Sequence, residues 1–289
     1  MEIPVLVQSM ANSLVLGSIY ATVAVGLALG FGVMKMANFA HGEFYMLGAY
    51  IVYVLYAQMG VPFPAAVLAA FPLMALVGLL TERLIFRPTR GNVLAGFMAT
   101  AGLAFIIQVL VGQIWGVGLP KSIPTPYMGA AQVAGAFIAW QRLVVIPVAI
   151  LMVVLLWYFL NYVRLGKALR ACAQDPEVAA LQGISISRIT MLAMVIAGGY
   201  AGIAGAMMAP VMPVTPYLGH DVITTAFIIV IVGGLGSIGG AVLAAFILGF
   251  IHTFVTTLID GVTATMAGVA LMALILIVKP EGLLGRVKA

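Results

Sequence analysis

Side chains able to do chemistry are scarce in this 289-residue chain: three histidines, one cysteine, eight acids and 13 bases. The first pattern to suggest a reaction is Gly234-Leu235-Gly236-Ser237-Ile238-Gly239, spaced as G-x-G-x-x-G. It follows the strand-like run 227–232, and Asp260 stands at about the distance of a ribose-binding acid. The run after it, 241–250, has no polar face, whereas a helix covering a nucleotide-binding sheet shows one side to water. These glycines therefore read as a break between two apolar helices. H-E-x-x-H, G-x-S-x-G and G-x-x-x-x-G-K-[ST] are absent. No catalytic residue, metal ligand or bound cofactor is expected, and a pump built on this chain must draw its energy from another protein. His220 and His252 stand alone, and Cys172 has no second cysteine to pair with.

Two segments hold denser information. In the first, Lys35 precedes Asn38-Phe39-Ala40-His41-Gly42-Glu43. Polar and ionisable groups inside a bilayer are costly, so this cluster belongs at an interface or against an internal cavity. Spacing alone leaves two readings open: an interfacial anchor with a helix cap, or a broken helix whose end meets a polar solute. The second segment, 164–188, encloses a short helix with written start and stop signals. Asp175 can cap it, Pro176 suits its first position, and Glu177 suits the positive end of its dipole. Ala180 and Leu181 continue an apolar surface with Val178 and Ala179, and Gly183 can end the helix in a left-handed conformation. Two turns are not stable alone in water, so other structure must hold them.

The elements that position these segments follow from charge. Only 7% of residues are charged and 64% are apolar, against about 25% charged in a soluble domain. Charge-free runs cover 3–34, 44–81, 91–120, 122–141, 143–163, 189–220, 222–259 and 261–278, and about 20 apolar residues cross a bilayer as a helix. The chain reads as an all-α, polytopic membrane bundle forming one domain over 1–289. Soluble enzymes, nucleic-acid binders and disordered proteins are excluded. The basic residues gather as Arg83, Arg87 and Arg90; Arg164, Lys167, Arg170 and Arg188; and Lys279, Arg286 and Lys288. Placing all three groups in the cytoplasm requires an even number of spans between them. That predicts spans near 8–34, 40–59, 62–80, 93–115, 143–163, 189–210 and 261–278, with two more in 222–259, and an external segment 116–142. The total is nine, with eight or ten open, and the first apolar stretch is expected to be retained because no basic residue precedes it. Gly26-xxx-Gly30 and Gly198-xxx-Gly202-xxx-Ala206 are expected to serve close helix packing.

The sequence resembles the permease subunits of branched-chain amino acid ABC importers. The likeness rests on 38–43 with its Met46-Leu47-Gly48-Ala49-Tyr50 continuation, on 166–184, on 233–242 and on 279–285, in that order along the chain. The resemblance implies a bacterial inner-membrane complex with a second related permease, two ABC ATPase subunits that use ATP, and a periplasmic amino-acid-binding protein. It implies that a cytoplasmic helix within 173–183 docks on an ATPase, with Asp175, Pro176, Glu177, Ala180, Leu181 and Gly183 in the coupling segment. The residues themselves make Asn38, His41, Gly42, Glu43, Gly234, Gly236, Ser237 and Gly239 the pathway or helix-break candidates, and the resemblance puts 116–142 and 210–221 among the external loops. Substrates implied are leucine, isoleucine and valine, with urea, short amides or other amino acids as alternatives. A secondary transporter or channel is the reading from another class.

Overall fold

The structure is a computed structural model describing residues 2–285, so Arg286 and Lys288 of the third basic group lie outside the described residues. In chain order the elements are α1 (Ile3–Met34), α2 (His41–Val52), α3 (Phe63–Thr81), α4 (Val93–Trp115), β1 (Ala130–Val133), β2 (Ala136–Ala139), α5 (Trp140–Tyr162), α6 (Arg164–Gln174), α7 (Pro176–Leu181), α8 (Ile186–Met208), α9 (Leu218–Gly233), α10 (Ile238–Leu258) and α11 (Gly261–Val278). π-helical turns extend α2 over Tyr53–Gln58 and α3 over Glu82–Phe86.

Seven helices are long and apolar enough to cross a membrane: α1, α3 with its extension, α4, α5, α8, α10 and α11. Two shorter ones, α2 with its extension and the 16-residue α9, bring the count to the expected nine. Segment 116–142 holds no span, but it does hold an antiparallel hairpin. Its two-residue turn uses positive φ at Ala134 (48°) and Gly135 (83°), the twist that closes such hairpins. Asp260 caps α11 by accepting from the Thr263 amide at 2.7 Å. That bond, then one from the Thr263 hydroxyl, hold its carboxyl below the usual carboxylate range. Asp260 is thus a helix-capping residue.

Opposite ends of the bundle differ in charge. Lys35 reaches the α6 carbonyl of Ala173, Arg87 bonds Ser187, and Arg90 bonds Glu82 and Thr190. Backbone bonds from Leu283 to Val232 and from Leu284 to Gly233 bring the chain's last described turn to the same end. This is the basic face. At the other end Lys121 pairs with Val214 through two backbone bonds, and Arg142 bonds Asn12.

α1 and α8 are the most enclosed spans, and α4 and α11 the most exposed. The most extensive helix contacts are α1 with α10 and α3 with α8; α1 also packs on α8, and α2 on α9. This pattern maps onto itself when α1–α4 are exchanged for α8–α11. α1 runs toward the basic face and α8 away from it, so the two halves are inverted repeats. Glycine makes the crossings possible. A side chain on Gly198 would meet the Met74 carbonyl at 2.5 Å, and one on Gly249 would meet Gly17 Cα at 2.8 Å. Gly26 and Gly30 seat α8 residues Ala197 and Met194. Both small-residue stripes are thus used for packing within the chain.

Gly78→Ala and Gly198→Ala force α3 and α8 apart. Each is expected to cost about 1–3 kcal/mol, read as a lower midpoint of thermal unfolding in detergent. Gly102→Ala on α4, where an added Cβ meets nothing within 4 Å, should leave the midpoint unchanged or raise it.

Candidate functional site

α1 does not continue into α2. It stops at Met34, Lys35 adopts a left-handed conformation (φ 55°), and the connection folds back so that α2 begins inside the bundle. His41 Nε2 donates to the Val23 carbonyl at 3.1 Å, which sets the start of α2 about 16 Å along α1 from its basic-face end, at 1.5 Å per residue. The connection is braced by polar bonds. Asn38 Oδ1 accepts from the Ala40 amide at 3.1 Å, and the Phe39 amide donates to Thr100 Oγ1 at 3.3 Å. The Phe39 ring packs between Phe97 of α4 and Phe227 of α9, with centroids 4.4 and 4.7 Å away.

Of the two readings left open for 38–43, burial decides. Asn38, His41 and Glu43 are 4%, 1% and 2% exposed, so the cluster faces the interior rather than an outer anchor position. Glu43 Oε1 accepts from Gln108 Nε2 of α4 at 2.9 Å, and Oε2 has no protein partner. Asn38 Nδ2 is likewise buried without one.

α9 is the counterpart of α2. It was expected to be preceded by an external loop running through Asp221. Instead helix begins at Leu218, and its first turn lies against the first turn of α2. A Cβ on Gly219 would stand 2.7 Å from the Gly42 carbonyl and 2.8 Å from Glu43 Cδ. Gly42 and Gly219 therefore touch backbone to backbone where the two repeats meet. Each half-helix carries an acid in its first turn, Glu43 and Asp221, at the end where the helix dipole is positive. Glu43 is enclosed, whereas His220, Asp221 and Thr224 form an exposed polar edge along α9. The echo between His41-Gly42-Glu43 and Gly219-His220-Asp221 is a sequence signal of the repeat. Its meaning depends on a contact between segments 177 residues apart, as Gly42 and Gly219 are.

Gly234, Gly236 and Ser237 lie at the basic face between α9 and α10, and Gly239 is in the first turn of α10. Gly234 and Gly236 take φ of 104° and 82°, and Ser237 caps α10 by accepting from the Gly240 amide at 3.1 Å. The turn presses on Gly32 of α1 and on the turn 281–285.

On the same face stands the capped helix. Asp175 Oδ1 accepts from the Glu177 and Val178 amides at 2.9 and 3.1 Å, Pro176 is the first helical residue, and Gly183 turns out with φ 79°. Val178, Ala180 and Leu181 are exposed, Leu181 at 85%, while Ala179 turns inward. The structure that holds α7 is α6, which charge counting left as loop. Arg164, Lys167 and Arg170 lie on its exposed side, and Gly166, Leu169 and Cys172 on its buried side. That two-sided spacing was the available signal. Burial pushes the Cys172 thiol up, which suits a packing residue rather than a nucleophile. Glu82, Arg90 and Thr190, which tie the end of α3 to the start of α8, were also missed because nothing in their spacing joins them.

Comparison with known proteins agrees with this architecture. A family described as "Branched-chain amino acid transport system / permease component" matches residues 9–281. The chain is 33% identical to the high-affinity branched-chain amino acid transport system permease protein LivH of Salmonella typhimurium, over 96% of this chain and 95% of that one. It is 33% identical, with the same coverage, to the permease protein BraD of Pseudomonas aeruginosa. It is 28% identical to the permease protein LivM of Escherichia coli K12, over 92% of this chain and 68% of that one. With a profile matching nearly its whole length and full-length relatives above 30% identity, the chain belongs to the permease family of branched-chain amino acid transport systems.

Proposed function

We propose that this chain is one of two related permeases in an ATP-driven importer of leucine, isoleucine and valine in a bacterial inner membrane. Two ABC ATPases supply the energy from the cytoplasm, and a periplasmic binding protein delivers the substrate. The observation that supports an ATP-driven machine is α7, a capped helix held out on the basic face with Leu181 in solvent. The positive-inside rule assigns that face to the cytoplasm. The substrate class rests on the family and on its relatives' names.

In this reading α7 docks in a groove of an ATPase, with Glu177, Ala180 and Leu181 as its contact side. Asp175, Pro176 and Gly183 fix its two ends. The route for substrate passes the meeting point of α2 and α9. The exposed edge of His220, Asp221 and Thr224 is too polar for lipid, and it faces the route and the second permease. Asn38, His41, Gly42 and Glu43 shape the wall behind it, and Gly234, Gly236, Ser237 and Gly239 form the turn at the inner end of the same half-helix. Asp221, on the exposed edge, offers a carboxyl group suited to a passing ammonium group.

Reconstitution tests the proposal. Proteoliposomes holding this chain, its partner permease and the ATPases should take up leucine, isoleucine and valine with ATP and the loaded binding protein. Liposomes with this chain alone should take up none. Uptake without ATPases would establish a secondary transporter or channel, and a binding protein that retains urea or an amide instead would move the substrate class. In the complete system the double variant Glu177→Arg with Leu181→Arg should insert normally and lose about tenfold or more of its uptake, as charge placed in a docked surface does. Normal uptake by the assembled double variant overturns the docking role.

A further inference from the structure

The connection between α1 and α2 carries a residue that its backbone does not favour. Lys35 sits at the end of α1 with φ 55° and ψ 22°, its amide donating to the Phe31 carbonyl at 2.8 Å. Helix ends of this left-handed kind are usually occupied by glycine, because a Cβ is crowded there. This chain has 33 glycines, yet it places a lysine at that position.

The side chain has a destination. Lys35 Nζ donates to the Ala173 carbonyl at 2.8 Å. Ala173 is in the last turn of α6, where carbonyls lack helical partners and the dipole is negative. An ammonium is the group that end requires. α6 is itself fixed on its far side. Gly166 lies so close to the Phe159 carbonyl of α5 that no side chain fits, and Leu169 and Cys172 are buried. Asp175 then passes directly into α7. α6 and α7 thus form one unit, and Lys35 bonds it at Ala173, three residues before α7 begins at Pro176.

The start of α7 borders an open cleft of about 180 Å³, lined by Pro176 together with Val33, Lys35, Phe86, Arg90 and Thr190. The bond from Lys35 to Ala173 crosses this end of the bundle as a direct polar link between the α6–α7 unit and the connection 35–40. Three residues further along, Asn38 braces the turn that presents His41 and Glu43.

We infer that Lys35 is a positioning residue of the transport cycle: its ammonium ties the α6–α7 unit to the connection bearing Asn38, His41 and Glu43, so that displacement of α7 is passed to the break in the helix. This deepens the proposed function and rests on it for the source of the displacement.

The test uses the complete importer in nanodiscs or proteoliposomes with Lys35→Gly, Lys35→Met and Lys35→Arg. Lys35→Gly relieves the left-handed backbone while removing the ammonium, so assembly and thermal midpoint should be unchanged or improved. The amino acid transported per ATP hydrolysed should nonetheless fall about three- to tenfold, with Lys35→Met behaving alike and Lys35→Arg restoring most of it. A merely structural lysine would give no loss on replacement by glycine, and a wild-type ratio in Lys35→Gly overturns the inference. Hydrogen exchange separates this from failure of the proposed function. In Lys35→Gly the amides of 36–40 and 177–181 should both exchange faster, whether or not the wild type imports amino acids. Unchanged exchange in both segments overturns the tie by itself.

Discussion

A helix that begins inside a membrane leaves its first amides without partners in a medium that offers none. Two such helices, α2 and α9, begin in the interior of this bundle, and much of the remaining structure answers that constraint. Backbone carbonyls meet part of it, with the His41 amide donating to Asn38 and the His220 amide to Tyr217. Asn38 and Thr100 accept from the amides of Ala40 and Phe39 just before α2, and Gln108 gives the Glu43 side chain a donor. Thr100 and Gln108 come from α4, which must stand close by. Close approach in turn needs Gly42 against Gly219, with further glycine crossings such as Gly78 against Gly198 and Gly48 against Gly202. The small-residue stripes are thus a consequence of the two breaks as well as of general membrane packing.

What could be read directly from the sequence was local or global in scale. The start and stop of α7 are legible because Asp175, Pro176 and Gly183 act on their own backbone, so no tertiary knowledge is needed. The spans are legible because a charge-free run of sufficient length has one stable placement. Positions between those scales were harder. Glu43 at the head of an apolar helix is compatible with an interface or an interior, and only its burial in the folded bundle, against Gln108 65 residues away, places it inside. The resemblance puts segment 210–221 among the external loops. The helix beginning at Leu218 is stabilised by α2, and nothing within 210–221 announces that. α6 was concealed by its own charge, since Arg164, Lys167 and Arg170 suggested a solvated loop when they mark one side of an amphipathic helix.

The inverted repeat explains the frame but not the asymmetry within it. α1–α4 and α8–α11 pack in corresponding ways, yet their paired acids differ. Glu43 is enclosed and bonded by Gln108, whereas Asp221 stands on an open edge. A symmetric scaffold with unequal acids thus has one enclosed wall and one exposed edge. The insertion between the repeats adds the other asymmetry. The hairpin at one end, α5 through the bundle and the α6–α7 unit at the basic face belong to neither half. α6 is anchored to α5 through Gly166 and to the first repeat through Lys35. A force applied to α7 therefore enters one half of a symmetric structure before the other. Since the two halves meet at Gly42 and Gly219, displacement of the first half-helix changes its fit against the second. Pseudo-symmetry supplies two matched surfaces at that junction, and in the coupling proposed above the inserted unit acts on one of them.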